Sequence, residues 1–153
     1  MTLDVGQPAP DFSLRNQHGQ TVSLSEFRGE KNVVVLFYPW AFSGVCSGEL
    51  ADIREHLADL HSDTSELLAI SCDAMYSLRA FAERDGLEFP LLSDFWPHGE
   101  VARRYGIFNE EIGIAGRATF IVDREGIIRW RVTNAIGEAR SLDAYRKALT
   151  DLA

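Results

Sequence analysis

The sequence predicts a single α/β domain over residues 1–153, with a mixed β-sheet flanked by helices. Three observations carry that prediction. Two continuous apolar runs, NVVVLFY at 32–38 and the stretch 67–72, read as strands covered on both faces. Between them, residues 45–61 carry Leu50, Ile53, Leu57 and Leu60 at spacings of three and four, the stripe of an amphipathic helix. Further on, 118–122 and 127–132 flank the turn Asp123-Arg124-Glu125-Gly126 and read as a β-hairpin. At 153 residues and 46% hydrophobic, the chain is long enough to close one core. No linker, repeat or low-complexity stretch divides it.

The remaining elements follow in order. Short strands at 11–14 and 21–24 are joined by a turn through 16–19, where His18-Gly19 supplies the turn chemistry. The strand 32–38 passes into the helix 45–61 through the segment PWAFSGVC at 39–46. After the strand 67–72 come a helix at 76–84, with Leu78, Phe81 and Ala82 as its apolar face, a short strand at 89–92 and a short helix at 99–105. The hairpin then leads to a closing helix at 141–152, with Ser141 in the N-cap position.

Composition excludes several function classes. The formal net charge is −8, and two lysines stand beside thirteen arginines, which argues against nucleic acid and anionic membrane as partners. The N-terminus has no basic start followed by an apolar core, and no apolar stretch approaches the ~20 residues that cross a bilayer. The protein is therefore expected in the cytoplasm. In that reducing compartment, Cys46 and Cys72 are expected as reactive or buried thiols, not as a disulfide framework. There is no C-x-x-C, and His18, His56, His61 and His98 are scattered away from metal-ligand spacing, so neither a metal nor a cofactor is expected.

The chemistry concentrates at 39–46. Cys46 falls in the first turn of a helix that follows a buried strand, where unpaired N–H groups and a partial positive charge favour an anion. The thiolate is the reactive form of cysteine. Ser43 offers a hydroxyl three residues earlier, and Pro39 stands seven residues earlier. The pattern P-x-x-x-S-x-x-C resembles P-x-x-x-[T/S]-x-x-C, the peroxidatic signature of the peroxiredoxins. The resemblance covers essentially the whole chain: APDFSL at 9–14, NVVVLFYP at 32–39, AISCD at 69–73, FPLLSD at 89–94 and RATFIVD at 117–123. FPLLSDFWPHG together with YGIFNEEIGIA is most similar to an actinobacterial, one-cysteine alkyl hydroperoxide reductase group of that family. The resemblance implies a thioredoxin-like fold with the peroxiredoxin N-terminal extension. It also implies a homodimer or larger homo-oligomer, and a thiol-dependent peroxidase acting on organic hydroperoxides and H2O2, with peroxynitrite as a further candidate.

Breaking a peroxide O–O bond needs a thiolate to attack one oxygen and donors where charge grows on the other. Cys46 is the expected nucleophile. The backbone N–H groups around Val45 and Cys46 are expected to meet a peroxide oxygen, and the Ser43 hydroxyl to donate to sulfur or accept the peroxide proton. The cation is assigned to Arg117. In the thioredoxin-like sheet that the resemblance implies, its strand runs antiparallel to 32–38 and starts at the edge where the other ends, and the resemblance makes this the active-site arginine. Glu49, one turn after Cys46, resembles the family's arginine-steadying acid; by itself it reads equally as a solvent-facing or helix-dipole carboxylate. Ser43 stands where threonine is usual in the pattern, so the hydroxyl is kept and the stiffening β-methyl lost. Trp40, Phe42, Phe95, Trp96 and Pro97 read as an apolar collar around the sulfur, as a dimer interface, or as packing under the loop.

Attack leaves Cys46 as a sulfenic acid that must be reduced. Some peroxiredoxins carry a second cysteine five positions on; here that position is Ala51. Cys72 reads as an ordinary buried thiol, or as the resolving partner of a two-cysteine cycle recycled by thioredoxin. A disulfide would need Cα atoms within about 4.4–6.8 Å, and an unwound helix start. Working alone, Cys46 takes an external low-molecular-weight thiol and a glutaredoxin-like partner as reductant, which the resemblance implies to be mycothiol and mycoredoxin. A redox sensor or holdase is the reading from a different class.

Overall fold

The computed structural model describes residues 3–135 and 140–152; the ends of the predicted 1–153 domain and residues 136–139 lie outside them. The chain opens with the antiparallel pair β1 (Ser13–Arg15) and β2 (Thr21–Ser23). It continues as β3 (Asn32–Phe37), α1 (Gly44–Glu55), β4 (Ser65–Ser71), α2 (Met75–Asp85), β5 (Leu91–Ser93) and α3 (Glu100–Arg104). A small hairpin of β6 (Phe108–Asn109) and β7 (Ile114–Ala115) precedes β8 (Arg117–Val122), β9 (Ile128–Asn134) and α4 (Leu142–Leu152). One seven-stranded sheet runs in the order β2-β1-β5-β4-β3-β8-β9. β3, β4 and β5 are parallel, β8 is antiparallel to β3 and to β9, and β1 is antiparallel to β5. This is the mixed, thioredoxin-like sheet.

Strand alternation divides the interior into two cores. Val34, Leu36, Leu67, Ala69, Leu91 and Ile121 face the layer that holds α1, α2 and α4. Val33, Val35, Phe37, Leu68, Ile70, Leu92, Phe120 and Val122 face the other way, onto α3 and the N-terminal segment. Every residue of β3, β4 and β8 is buried, which is why β3 and the middle of β4 read as apolar runs; β8 buries Arg117 and Thr119 as well.

Several predicted boundaries shift, each for a local reason. The helix expected at 45–61 ends at Glu55: the N–H of His56 donates to the Ile53 carbonyl at 3.1 Å, a tightened turn, and Leu57–Asp59 continues as a 3₁₀ turn. Leu60 stays buried at 1%, because the 3₁₀ period of three still lands it on the core side. The strand expected at 89–92 starts after Pro90, which has no N–H for the ladder, and the strand expected at 11–14 is shifted to begin at Ser13. The hairpin of β6 and β7 was not expected; two-residue strands have too few positions to show a period.

Candidate active site

The site forms where β3 leaves the sheet. The N–H of Tyr38 makes the last bond to β4, on the Ile70 carbonyl at 3.0 Å, and Pro39 follows, buried and with no N–H to extend the ladder. The loop is then held from outside: the Ala41 N–H donates to Asp73 Oδ2 at 2.8 Å, and Ser71 Oγ donates to the same oxygen at 2.7 Å. Phe42 takes φ 69°, the left-handed region, at a cost of roughly 1–2 kcal/mol for a residue with a Cβ. That turn delivers Ser43 as the N-cap of α1. Its Oγ accepts from the Cys46 N–H at 3.2 Å and its carbonyl from the Ser47 N–H at 2.8 Å. The Cys46 N–H, one of the donors expected to meet a peroxide oxygen, is thus directed at its own cap in this structure. The Ser43 O–H proton is left to point elsewhere.

Cys46 is fully buried and its sulfur accepts from Arg117 Nη2 at 3.1 Å. The sheet register explains the meeting. Phe37 at the end of β3 pairs with Ala118, so Arg117 is the next residue out on the antiparallel strand. Arg117 is 1% exposed, and its Nη1 donates to Glu49 Oε1 at 2.5 Å. Glu49, on the buried side of α1, is not a solvent-facing carboxylate. It also accepts from Arg140 Nη1 at 2.7 Å and, through Oε2, from the Arg140 backbone N–H at 2.9 Å. Arg140 Nη2 donates to the Phe37 carbonyl, while its Nε has no hydrogen-bond partner among the described residues. Burial pulls the Arg140 guanidinium below the usual arginine range, and Glu49 works in the opposite direction. Nothing in the sequence around Arg140 singled it out; its partner is 91 positions away.

Pro39, Ser43, Cys46, Glu49 and Arg117 are thus brought together, and Arg140 joins them. Cys72 is not. It follows β4 at the same edge of the sheet but packs into the core on the opposite face, with Ile70, Val101 and Tyr105, whereas Cys46 belongs to the core of Leu36, Leu50 and Phe81. Both thiols are free. Burial, with Asp94 nearby, pushes the Cys72 thiol up to about 12. The flanking aromatics are not core: Trp40, Phe42, Phe95 and Trp96 are exposed, Trp96 at 81%. Phe95 and Trp96 line a groove with Leu14, Arg15 and Met75, while Phe42 lies against Phe81 with centroids 5.1 Å apart. A groove of about 410 Å³ opens beside the first turns of α1, lined by Val45, Gly48, Asp52, Arg140 and Leu142. Among the described residues no three His, Cys, Asp or Glu side chains are placed to hold a metal ion, and no helix is long and apolar enough to cross a membrane.

A thioredoxin-like sheet that buries a lone thiol at a helix start, bonded to a guanidinium, is the layout of a thiol peroxidase. Comparison with known proteins agrees. Residues 5–131 match the AhpC/TSA family, and the chain belongs to that family as a peroxiredoxin. It is 49% identical over 150 residues to alkyl hydroperoxide reductase E of Mycobacterium tuberculosis, covering 98% of each chain, and falls in that group. It is 35% identical to a putative peroxiredoxin from the rubredoxin operon of Clostridium pasteurianum, over 95% of this chain and 86% of the relative. Among solved structures, AhpC of Enterococcus faecalis superposes with a TM-score of 0.88 at 34% identity, over 99% and 92% of the two chains.

Proposed function

We propose that Cys46 is the peroxidatic cysteine of this thiol peroxidase and that it reduces organic hydroperoxides and H2O2, with peroxynitrite as a further candidate. The observation that carries this is the bond from Arg117 Nη2 to the Cys46 sulfur. The buried cluster of Arg117, Arg140 and Glu49 holds two positive charges against one negative. One further negative charge, carried by the sulfur or by the departing oxygen, brings the cluster to neutrality. In the reaction the thiolate attacks one peroxide oxygen, the O–O bond breaks, and the other oxygen leaves as alkoxide or hydroxide. Arg117 stabilises that growing charge, the Ser43 hydroxyl is free to orient the peroxide, and Pro39 shields the sulfur. Glu49 and Arg140 act through Arg117, as positioning residues.

Cys46 ends the step as a sulfenic acid, and we assign its rescue to an external thiol. The cores of Cys46 and Cys72 lie on opposite faces of the sheet, and a thiol held protonated to about 12 is a poor attacking group at neutral pH. The reductant we favour is a low-molecular-weight thiol such as mycothiol with mycoredoxin, with thioredoxin as the alternative. We also assign a cytoplasmic location, which suits two free thiols, and a homodimer or larger homo-oligomer. The exposed Trp40, Phe95 and Trp96 are available to an interface or to an alkyl substrate.

The test is intact mass after one equivalent of an alkyl hydroperoxide, on wild type and Cys46→Ser. A gain of one oxygen, trapped by a sulfenate reagent and absent from the mutant, is expected. A loss of two hydrogens within one chain would instead make Cys72 the resolving partner. No rapid change in the wild type would remove Cys46 from the mechanism.

A further inference from the structure

The loop before Cys46 is closed by a side chain from a different helix. Phe42, in its left-handed conformation, rests its ring on Phe81 of α2. The guanidinium of Arg84, a turn further along α2, covers both rings, with Cζ 4.8 Å from the Phe42 centroid and 5.7 Å from that of Phe81. The same guanidinium donates through Nη2 to Ser47 Oγ at 3.1 Å, and Ser47 is the residue after Cys46. Asp85 fixes its orientation, with Oδ1 2.6 Å from Nε and Oδ2 3.0 Å from Nη2. Arg54, near the end of α1, donates to the Asp85 carbonyl. One cation therefore grips the residue in the unfavourable turn before Cys46 and the first helical turn after it.

We infer that Arg84 is a positioning residue that holds the 39–46 loop closed over Cys46, setting both the geometry of the sulfur and its access to anything larger than a peroxide. An aromatic residue with positive φ relaxes if its ring is not held, and the Ser43 cap beside it moves with it. Asp73 fixes the loop at Ala41, so Arg84 supplies the second point of attachment, and two points define the turn between them. Cys46 is fully buried, so a bulky reagent reaches it only when that turn opens. The inference rests on the peroxidatic reading of Cys46 where rate is concerned, but access to the sulfur is measured without it.

The experiment compares full-length wild type, Arg84→Ala and Arg84→Lys. Cys46 oxidation by an alkyl hydroperoxide is followed by stopped flow. Alkylation by a bulky maleimide is read near neutral pH, where the fold is intact and the reagent selective for thiols, and located by peptide mass, with Cys72 as the internal control. Losing the cation–π contact of this half-exposed side chain is expected to speed Cys46 alkylation roughly two- to fivefold and to slow oxidation by no more than that. Cys72 alkylation should not change, and Arg84→Lys, which keeps a cation over the ring, should recover most of both effects. Unchanged Cys46 alkylation in Arg84→Ala, or an equal rise at both cysteines, overturns the clamp. If wild-type Cys46 is not oxidised while its alkylation still depends on Arg84, the clamp stands and the peroxidatic reading fails.

Discussion

The oxygens of Glu49 decide how the guanidinium at Cys46 is held. Its carboxylate is 4% exposed and takes three donors from two arginines, so replacing it leaves two buried cations without their counter-ion. Glu49→Gln is expected to destabilise the reduced protein by about 3–5 kcal/mol in urea unfolding. Arg117→Met, which deletes the donor to sulfur, should slow Cys46 oxidation by about 10²-fold or more. The loss in Glu49→Gln should be smaller, because Arg117 keeps its charge; equal losses would mean that Glu49 contacts the peroxide itself. Ser43→Ala removes the cap on the Cys46 N–H and should cost about 1 kcal/mol of stability. An unchanged unfolding midpoint in that variant would show that the cap is dispensable.

Among elements, a bond between Thr119 Oγ1 and Tyr145 Oη at 2.6 Å ties β8 to α4, with Trp130 against the Tyr145 ring. Tyr145→Phe keeps the ring and strands a fully buried threonine hydroxyl, which should cost about 1–3 kcal/mol. Urea unfolding checks it, and a neutral result would mean that the Thr119 hydroxyl finds another partner. β3 and β4 were legible because burial on both faces leaves their central positions apolar, and β8 because a turn at 123–126 separates it from β9. The meeting of Arg117 with Cys46 was legible through the family resemblance, whose thioredoxin-like sheet pairs the two strands antiparallel and so brings the start of β8 to the end of β3. The end of α1 was not, because α-helical and 3₁₀ spacing both satisfy Leu57 and Leu60. Nor was Arg140: a lone arginine near a helix start looks like a surface residue, and only tertiary structure supplies Glu49 to bury it. The left-handed turn at Phe42 was equally hidden, since the ring that stabilises it comes from α2.

The molecule as a whole keeps four protons that its unfolded chain would surrender in base. Burial raises the Cys72 thiol from 9.0 to about 12 and the Tyr145 phenol from 10.0 to about 12, and it raises Tyr38 and Tyr105 beyond the ordinary phenol range. Below pH 9 both states hold these protons and the stability is fully present. Above it the unfolded chain releases protons that the native state retains, so stability should fall as pH rises through 12. Urea midpoints across that window check this, and Cys72→Ala should delay the onset towards pH 10, where the phenols begin. A flat profile would mean that these groups are reached by solvent. The sheet that separates the two thiols carries one more consequence. On the proposed one-cysteine mechanism, a sulfenate on one face with no thiol beside it among the described residues waits for a visitor, and a second peroxide competes with the reductant for it. The fate of the oxidised enzyme is then a ratio of two concentrations in the surrounding fluid: plentiful thiol returns it to service, while scarcity retires it permanently as the sulfinic acid.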